Sequence, residues 1–226
     1  AQELRTQTTG RLTLACLPAL AHALVPHALV HLAARHPNLG VSVHPLESPW
    51  LEQALSEQRF DVGLSEATEA PTGVALRTLL TANEVAVLPR GHRLCAKATL
   101  APADFANERF ISLATGDPYR SAIDQMFASA QVPRTTLLET ASAVAVCAMV
   151  RQGLGVAIVN PLSALELASL DLVTRPLAVP IAFRVSLLLP QVAAAHPLQG
   201  ALVEALVQTA QSLEGAMALQ HLQGVA

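Results

Sequence analysis

Short apolar runs alternate with segments of helical spacing from residue 11 onward, and few folds accept that alternation. Residues 11–17 (RLTLACL) read as a strand, and Pro18 closes the run. Leu24, Ala28, Leu32 and Arg35 then recur at helical spacing over 24–36. Pro26 falls in the first turn, where its missing N–H does no harm. Pro37, Asn38 and Gly40 stop that helix. Val41, Val43 and Pro45 suggest a second strand. Ser48-Pro49-Trp50 reads as a helix start, with Ser48 as N-cap, Pro49 as the first helical residue and Trp50 covering the start. Leu51, Leu55 and Gln58 continue this helix, and Phe60–Leu64 is a third strand. Up to Leu64 the chain thus reads β-α-β-α-β, the signature of a parallel sheet covered by helices.

Val74–Leu80 and Glu84–Pro89 are further strands, the latter ended by Pro89, Arg90 and Gly91. A second cycle follows. Strands are expected at 109–113, 135–139, 155–159, 170–175 and 183–189. Helices are expected at 118–130, 143–152 and 161–167, with Gly153 just past the second of them, where positive φ favours glycine. A closing helix over about 196–222 carries Leu198, Leu202, Leu206, Leu213 and Leu219. Two α/β lobes joined by two crossing strands is the economical picture. It puts a cleft outside the carboxyl ends of the strands, where open α/β sheets bind ligands.

Composition agrees and excludes several classes. Hydrophobic residues are 52% of the 226, yet aromatics only 3% and charged residues 14%, which suits helices packed on buried strands. Net charge is −3, and the basic residues (Lys97 and 13 arginines) are scattered, so this segment is a poor match for nucleic acid. Cys16, Cys95 and Cys147 lie far apart without a CxxC. They read as small buried apolar residues in a reducing compartment, with neither a disulfide framework nor a zinc site. Mean hydropathy is +0.42, but the most apolar long window, 12–34, holds His22, His27, His31, Pro18 and Pro26, unlike a membrane span. The polar start shows no signal peptide, and the missing initiator Met suggests a processed product or a piece of a longer protein.

Several stretches together carry a family resemblance. Gly10–Leu14, Leu24-Val25-Pro26, His36-Pro37, Val41–Val43 and Arg59–Leu64 resemble the opening of the effector-binding domain of LysR-type transcriptional regulators. Pro89–Leu94 (PRGHRL) resembles that family's P-x-G-H-P-L turn, with Arg93 where proline is usual. Met149–Ile158 resembles its V-x-x-G-x-G-I-a helix-to-strand element. The resemblance covers essentially residues 10–210.

What the resemblance implies is specific. The fold would be periplasmic-binding-protein-like (type II), with two Rossmann-like α/β subdomains. Subdomain I would comprise 10–83 and 190–226, and subdomain II 84–189. Residues 1–9 would end a linker helix, preceded in such proteins by a winged helix-turn-helix DNA-binding domain outside this chain. A small-molecule effector would occupy the interdomain cleft, DNA would be bound only through the missing domain, and the chain would act in the cytoplasm. Effector domains would pair as homodimers, and full-length chains as homotetramers. The helices at 24–36 and 196–222 offer apolar faces for such pairing.

The residues themselves locate the candidate site. Leu17-Pro18-Ala19 and Leu64-Ser65 follow strands; Thr115-Gly116-Asp117 and Ala141-Ser142 precede helices; Asn160-Pro161 follows a strand. Free N–H groups and the helix dipole at such places favour an anion, so a carboxylate-bearing small molecule is expected. Related regulators touch effectors through these segments, often by Ser or Thr, and Leu17 stands where many have a polar residue. Asp117 and Pro118 form an ideal helix start. Asp117 could equally accept from an effector ammonium while Arg120 forks onto a carboxylate, which favours an amino acid or a derivative. Ser142 is either an N-cap or a hydroxyl donor to the ligand, and Ser65 has no evident cap role.

Other signals are weaker. His27 and His31 have a metal-capable i, i+4 spacing, but no third ligand joins them, so no metal or cofactor is expected. Gly153-Leu154-Gly155 ends a helix instead of opening one and is no dinucleotide fingerprint. Residues 63–67 lack the last glycine of a nucleophile elbow. A ligand-sensing regulatory domain is therefore the leading expectation, a transport-type solute-binding protein the alternative, and an enzyme the least supported reading.

Overall fold

A computed structural model of the chain describes residues 11–168, 171–191 and 195–223. The expected linker-helix tail at 1–9 lies outside the described residues, as does Leu170. The described residues divide into two units: those within 11–80 and 184–212, and those within 81–183 and 213–223.

The first unit is built on a five-stranded sheet. Its strands are β1 (Leu12–Cys16), β2 (Val41–Pro45), β3 (Val62–Ser65), β4 (Val74–Asn83) and β10 (Ala182–Pro190), in the order β2-β1-β3-β10-β4. β1 is parallel to both β2 and β3, and β10 runs antiparallel to β3, with Ser186 opposite Ser65. Leu12, Leu14, Ala15 and Cys16 are all fully buried, so β1 is covered on both faces. Asp61 fixes the start of β3 beside β1: its Oδ2 accepts from the Thr13 amide and hydroxyl, each at 2.7 Å. Gly63 lets α3 (Trp50–Ser56) lie close over the sheet, since a Cβ there would sit 2.2 Å from Leu55 Cδ1.

Several local expectations change. Pro18 both ends β1 and opens a separate short helix, α1 (Pro18–Ala23). Leu24 then ends α1 and caps α2 (Val25–Arg35). A proline after a strand reads as a stop, yet its fixed φ equally suits a first helical turn. Pro49, not Ser48, occupies the capping position of α3, and the Ser48 hydroxyl donates instead to Glu52 Oε1 at 2.8 Å. Trp50, expected to cover the helix start, is instead 67% exposed.

In the second unit, β5 (Val85–Pro89) lies between β8 (Ala157–Val159) and β9 (Leu172–Pro176), antiparallel to both. β6 (Arg109–Leu113) and β7 (Thr135–Thr140) form a parallel pair. Val156 joins the two sheets: its amide donates to Arg109 O and its carbonyl accepts from Ile111, both at 2.9 Å. Gly155 permits this approach, because a Cβ there would sit 2.4 Å from Arg109 O. Period-two alternation divides β5 between two apolar layers. Ala86 and Leu88 join the layer of Phe105, Phe110 and Phe127, whereas Val85 and Val87 join that of Val146, Cys147 and Val150.

Three helices pack here: α4 (Pro118–Ser129), α5 (Ala143–Arg151) and α6 (Pro161–Leu167). Gly153, at φ +75°, closes α5 as its sequence position suggests. Unit boundaries fall inside β4, β10 and the last helix, α7 (Gln199–Gln223). Residues 184–189, expected with the second lobe, thus belong to the first unit, because they pair with β3. Residues 213–223, expected with the first, group with the second.

Candidate functional site

In the first unit, the carboxyl ends of β1 and β3 meet. The Leu17 amide donates to Leu64 O at 3.1 Å, and both side chains are buried. Pro18 and Ala19, the first residues of α1, are half-buried. Ser65 is fully buried, and its Oγ accepts from the Ala67 amide at 3.1 Å. Ser186 Oγ in turn donates to Ala67 O at 2.7 Å. The Ser65 hydroxyl therefore closes its own turn, a local role that the sequence does not announce.

In the second unit, three candidate segments prove to be helix caps. Asp117 Oδ1 accepts from the amides of Tyr119 and Arg120 at 2.8 and 3.1 Å. Ser142 Oγ accepts from the Ala145 amide at 3.2 Å. Asn160 Oδ1 accepts from the Ser163 amide at 2.8 Å, ahead of Pro161 at the first helical position. Gly116, at φ +97°, makes the turn into α4. Asn160 is itself 7% exposed, so its cap serves a buried donor. Asn160→Ala is expected to cost about 1–2 kcal/mol, read as a melting temperature lower by roughly 2–8 °C. A melt unchanged within a degree counts against this role.

Arg120 is held within the protein. Its Nε donates to both carboxylate oxygens of Asp124, at 3.0 and 2.8 Å. Its Nη1 donates to Leu113 O at 2.7 Å and to Glu139 Oε2 at 2.9 Å. Glu139 Oε1 takes longer contacts from the Thr115 amide and hydroxyl, at 3.3 and 3.5 Å. Arg134 also pairs with Asp124. Its guanidinium lies 4.8 Å from the centres of both the Phe110 and Phe127 rings. Burial, with the nearby charge of Arg120, pushes Arg134 down to about 10. The Arg120 and Thr115 hydrogen bonds hold the Glu139 carboxyl below the usual glutamate range, so Glu139 is ionised.

The structure thus draws Thr115, Asp117 and Arg120 into one network and adds Asp124, Arg134 and Glu139, which sequence reasoning missed. Arg120 and Asp124 stand four apart on one helix, which is a legible signal. Glu139 comes from a neighbouring strand and leaves none.

Among the described residues, no three His, Cys, Asp or Glu side chains are placed to hold a metal ion. Burial pushes the Cys16 and Cys147 thiols up to about 12. Cys95 is only half-buried. No helix among the described residues is long and apolar enough to cross a membrane.

Two α/β units with strands running through their boundaries, and with helix starts gathered at strand ends, define a type II periplasmic-binding-like ligand-binding domain. The sequence profile described as the LysR substrate binding domain matches residues 5–211, and the chain belongs to that family. It is a LysR-type regulatory, effector-binding domain.

The chain is 44% identical to the transcriptional activator protein LysR of Escherichia coli (strain K12) over 205 residues, 91% of this chain and 65% of that protein. It is 28% identical to the octopine catabolism/uptake operon regulatory protein OccR of Rhizobium meliloti over 179 residues, 79% of this chain and 59% of that protein. It therefore spans less than two thirds of either relative's length. Among solved structures, the effector-binding domain of QuiR in complex with shikimate superposes with a TM-score of 0.72 at 16% identity, covering 91% of this chain and 99% of that one. These relatives are named as regulators, not as enzymes or transport proteins.

Proposed function

We propose that this chain senses a small carboxylate-bearing effector, an amino acid or a derivative of one. The segments at Leu17–Ala19, Leu64-Ser65, Thr115–Arg120, Ala141-Ser142 and Asn160-Pro161 receive it. The observation that carries the regulatory reading is the family match across residues 5–211. The effector class is supported by the relatives: one is named for the catabolism and uptake of octopine, an amino-acid conjugate, and shikimate, bound by QuiR, is a carboxylate. In the longer protein, the effector's preference for one arrangement would shift DNA binding by a domain outside this chain, in a cytoplasmic homodimer or homotetramer.

A thermal-shift screen of amino acids, opine-type conjugates, dicarboxylates, aromatic acids and neutral sugars tests the effector class. A ligand at a hundred times its Kd adds about 2.7 kcal/mol, read as a rise of roughly 5–10 °C. Shifts by amino acids or opines are expected. Shifts by sugars alone overturn the reading.

A further inference from the structure

The receiving groups of the Thr115–Arg120 segment are already engaged by a carboxylate of the protein itself. Glu139 seats one oxygen on Arg120 Nη1 at 2.9 Å and turns the other toward the amide and hydroxyl of Thr115, at 3.3 and 3.5 Å. The second acid, Asp124, takes Arg120 Nε. A guanidinium binds a carboxylate by a fork of two adjacent N–H groups. With Nε and Nη1 both occupied, Arg120 has no such fork left for an effector. The local charge points the same way. Arg120 and Arg134 stand against Asp117, Asp124 and Glu139, one more negative group than positive. Arg134 is 10% exposed and covered by two phenylalanine rings, so its charge is directed inward. Glu139 is 42% exposed, against 44% for Asp124, and it contacts both Arg120 and Thr115.

We propose that Glu139 is the specificity-determining residue of this segment. Its carboxylate turns an effector carboxylate away from Thr115–Arg120 and makes the segment the receiver of an ammonium or guanidinium group. This rests on the reading that Thr115–Arg120 meets the effector, and it revises one part of the sequence expectation: Asp117 remains available to a cation, while Arg120 serves as a positioning residue for Glu139. The effector's own carboxylate is then received by other segments.

Calorimetry on the chain with L-lysine and L-2-aminoadipate tests this, because the two share a six-carbon skeleton and differ in the charge at its end. The unsubstituted chain is expected to bind lysine roughly tenfold more tightly than aminoadipate. Glu139→Gln keeps an acceptor for Thr115 and Arg120 but removes the charge, and should bring the two within roughly threefold. Glu139→Asp should keep the preference. A merely structural role would leave the ratio unmoved. A preference for aminoadipate, or a ratio unchanged by Glu139→Gln, overturns this inference alone. No binding of either compound to any variant overturns the amino-acid effector reading itself. Where the glutamine variant fails to fold, the ratio in the unsubstituted chain decides.

Discussion

Gly155→Ala is expected to destabilise the second unit by about 3 kcal/mol and to lower its melting temperature by roughly 6–12 °C. The added methyl would stand 2.4 Å from Arg109 O, 3.1 Å from Arg109 C and 3.3 Å from Ile111 Cγ1. Two of these atoms are backbone and cannot swing aside, so β6 must retreat. That retreat strains the Val156–Arg109 and Ile111–Val156 hydrogen bonds, which tie the β6–β7 pair to the strands around β5. Each such bond contributes about 1 kcal/mol, and forced overpacking adds about 1–3. Gly63→Ala supplies the contrast. Its worst contact is 2.2 Å, shorter still, but with the end of the Leu55 side chain, which can turn away. Circular dichroism melts of both variants test the ranking. A Gly155→Ala melt higher than that of Gly63→Ala would sink the argument.

The largest loss from removing a side chain is expected for Phe127→Ala, at about 3–5 kcal/mol. Phe127 is 3% exposed and meets Phe105 and Phe110 edge-on, with ring centres 5.6 Å apart in each case. Its ring also faces the Arg134 guanidinium, 4.8 Å from the ring centre. Truncation opens a cavity and at the same time lets water or vacancy replace a ring over a buried guanidinium, so the two costs add. Phe127→Leu refills most of the space but not the ring face, and should lose roughly half as much. Urea unfolding followed by circular dichroism measures both. A loss below about 1 kcal/mol for the alanine variant would show that the cluster does not hold the unit together.

These expectations depend on contacts of different legibility. Where a signal is local, the sequence carries it. Pro37 stops α2, Gly153 closes α5, and Asp117 and Ser142 cap the helices they precede, because each acts within about four residues. The β-α-β order of the first unit is legible for the same reason, since period and punctuation are read along the chain. α1 was hidden by a local ambiguity, as Pro18 serves equally to end a strand and to begin a helix. The pairing of β10 with β3 joins Ser186 to Ser65, and nothing in residues 183–189 names that partner. Trp50 shows the limit of composition: a large apolar ring predicts burial, yet this one faces solvent. In the candidate site, the caps could be foreseen and the Glu139 contact could not. Parallel pairing of β6 and β7 is what carries Glu139 to a loop that lies 24 residues earlier in sequence.

Burial pushes the Cys16 and Cys147 thiols up to about 12, so both hold very little reactive thiolate at neutral pH, and the folded core shields both sulfurs from reagents. Cys95 is the remaining, more accessible sulfur, beside the turn at Pro89. The native chain therefore comes with a near-unique chemical handle, so a fluorescent or spin reporter can be attached to the second unit without first removing Cys16 or Cys147.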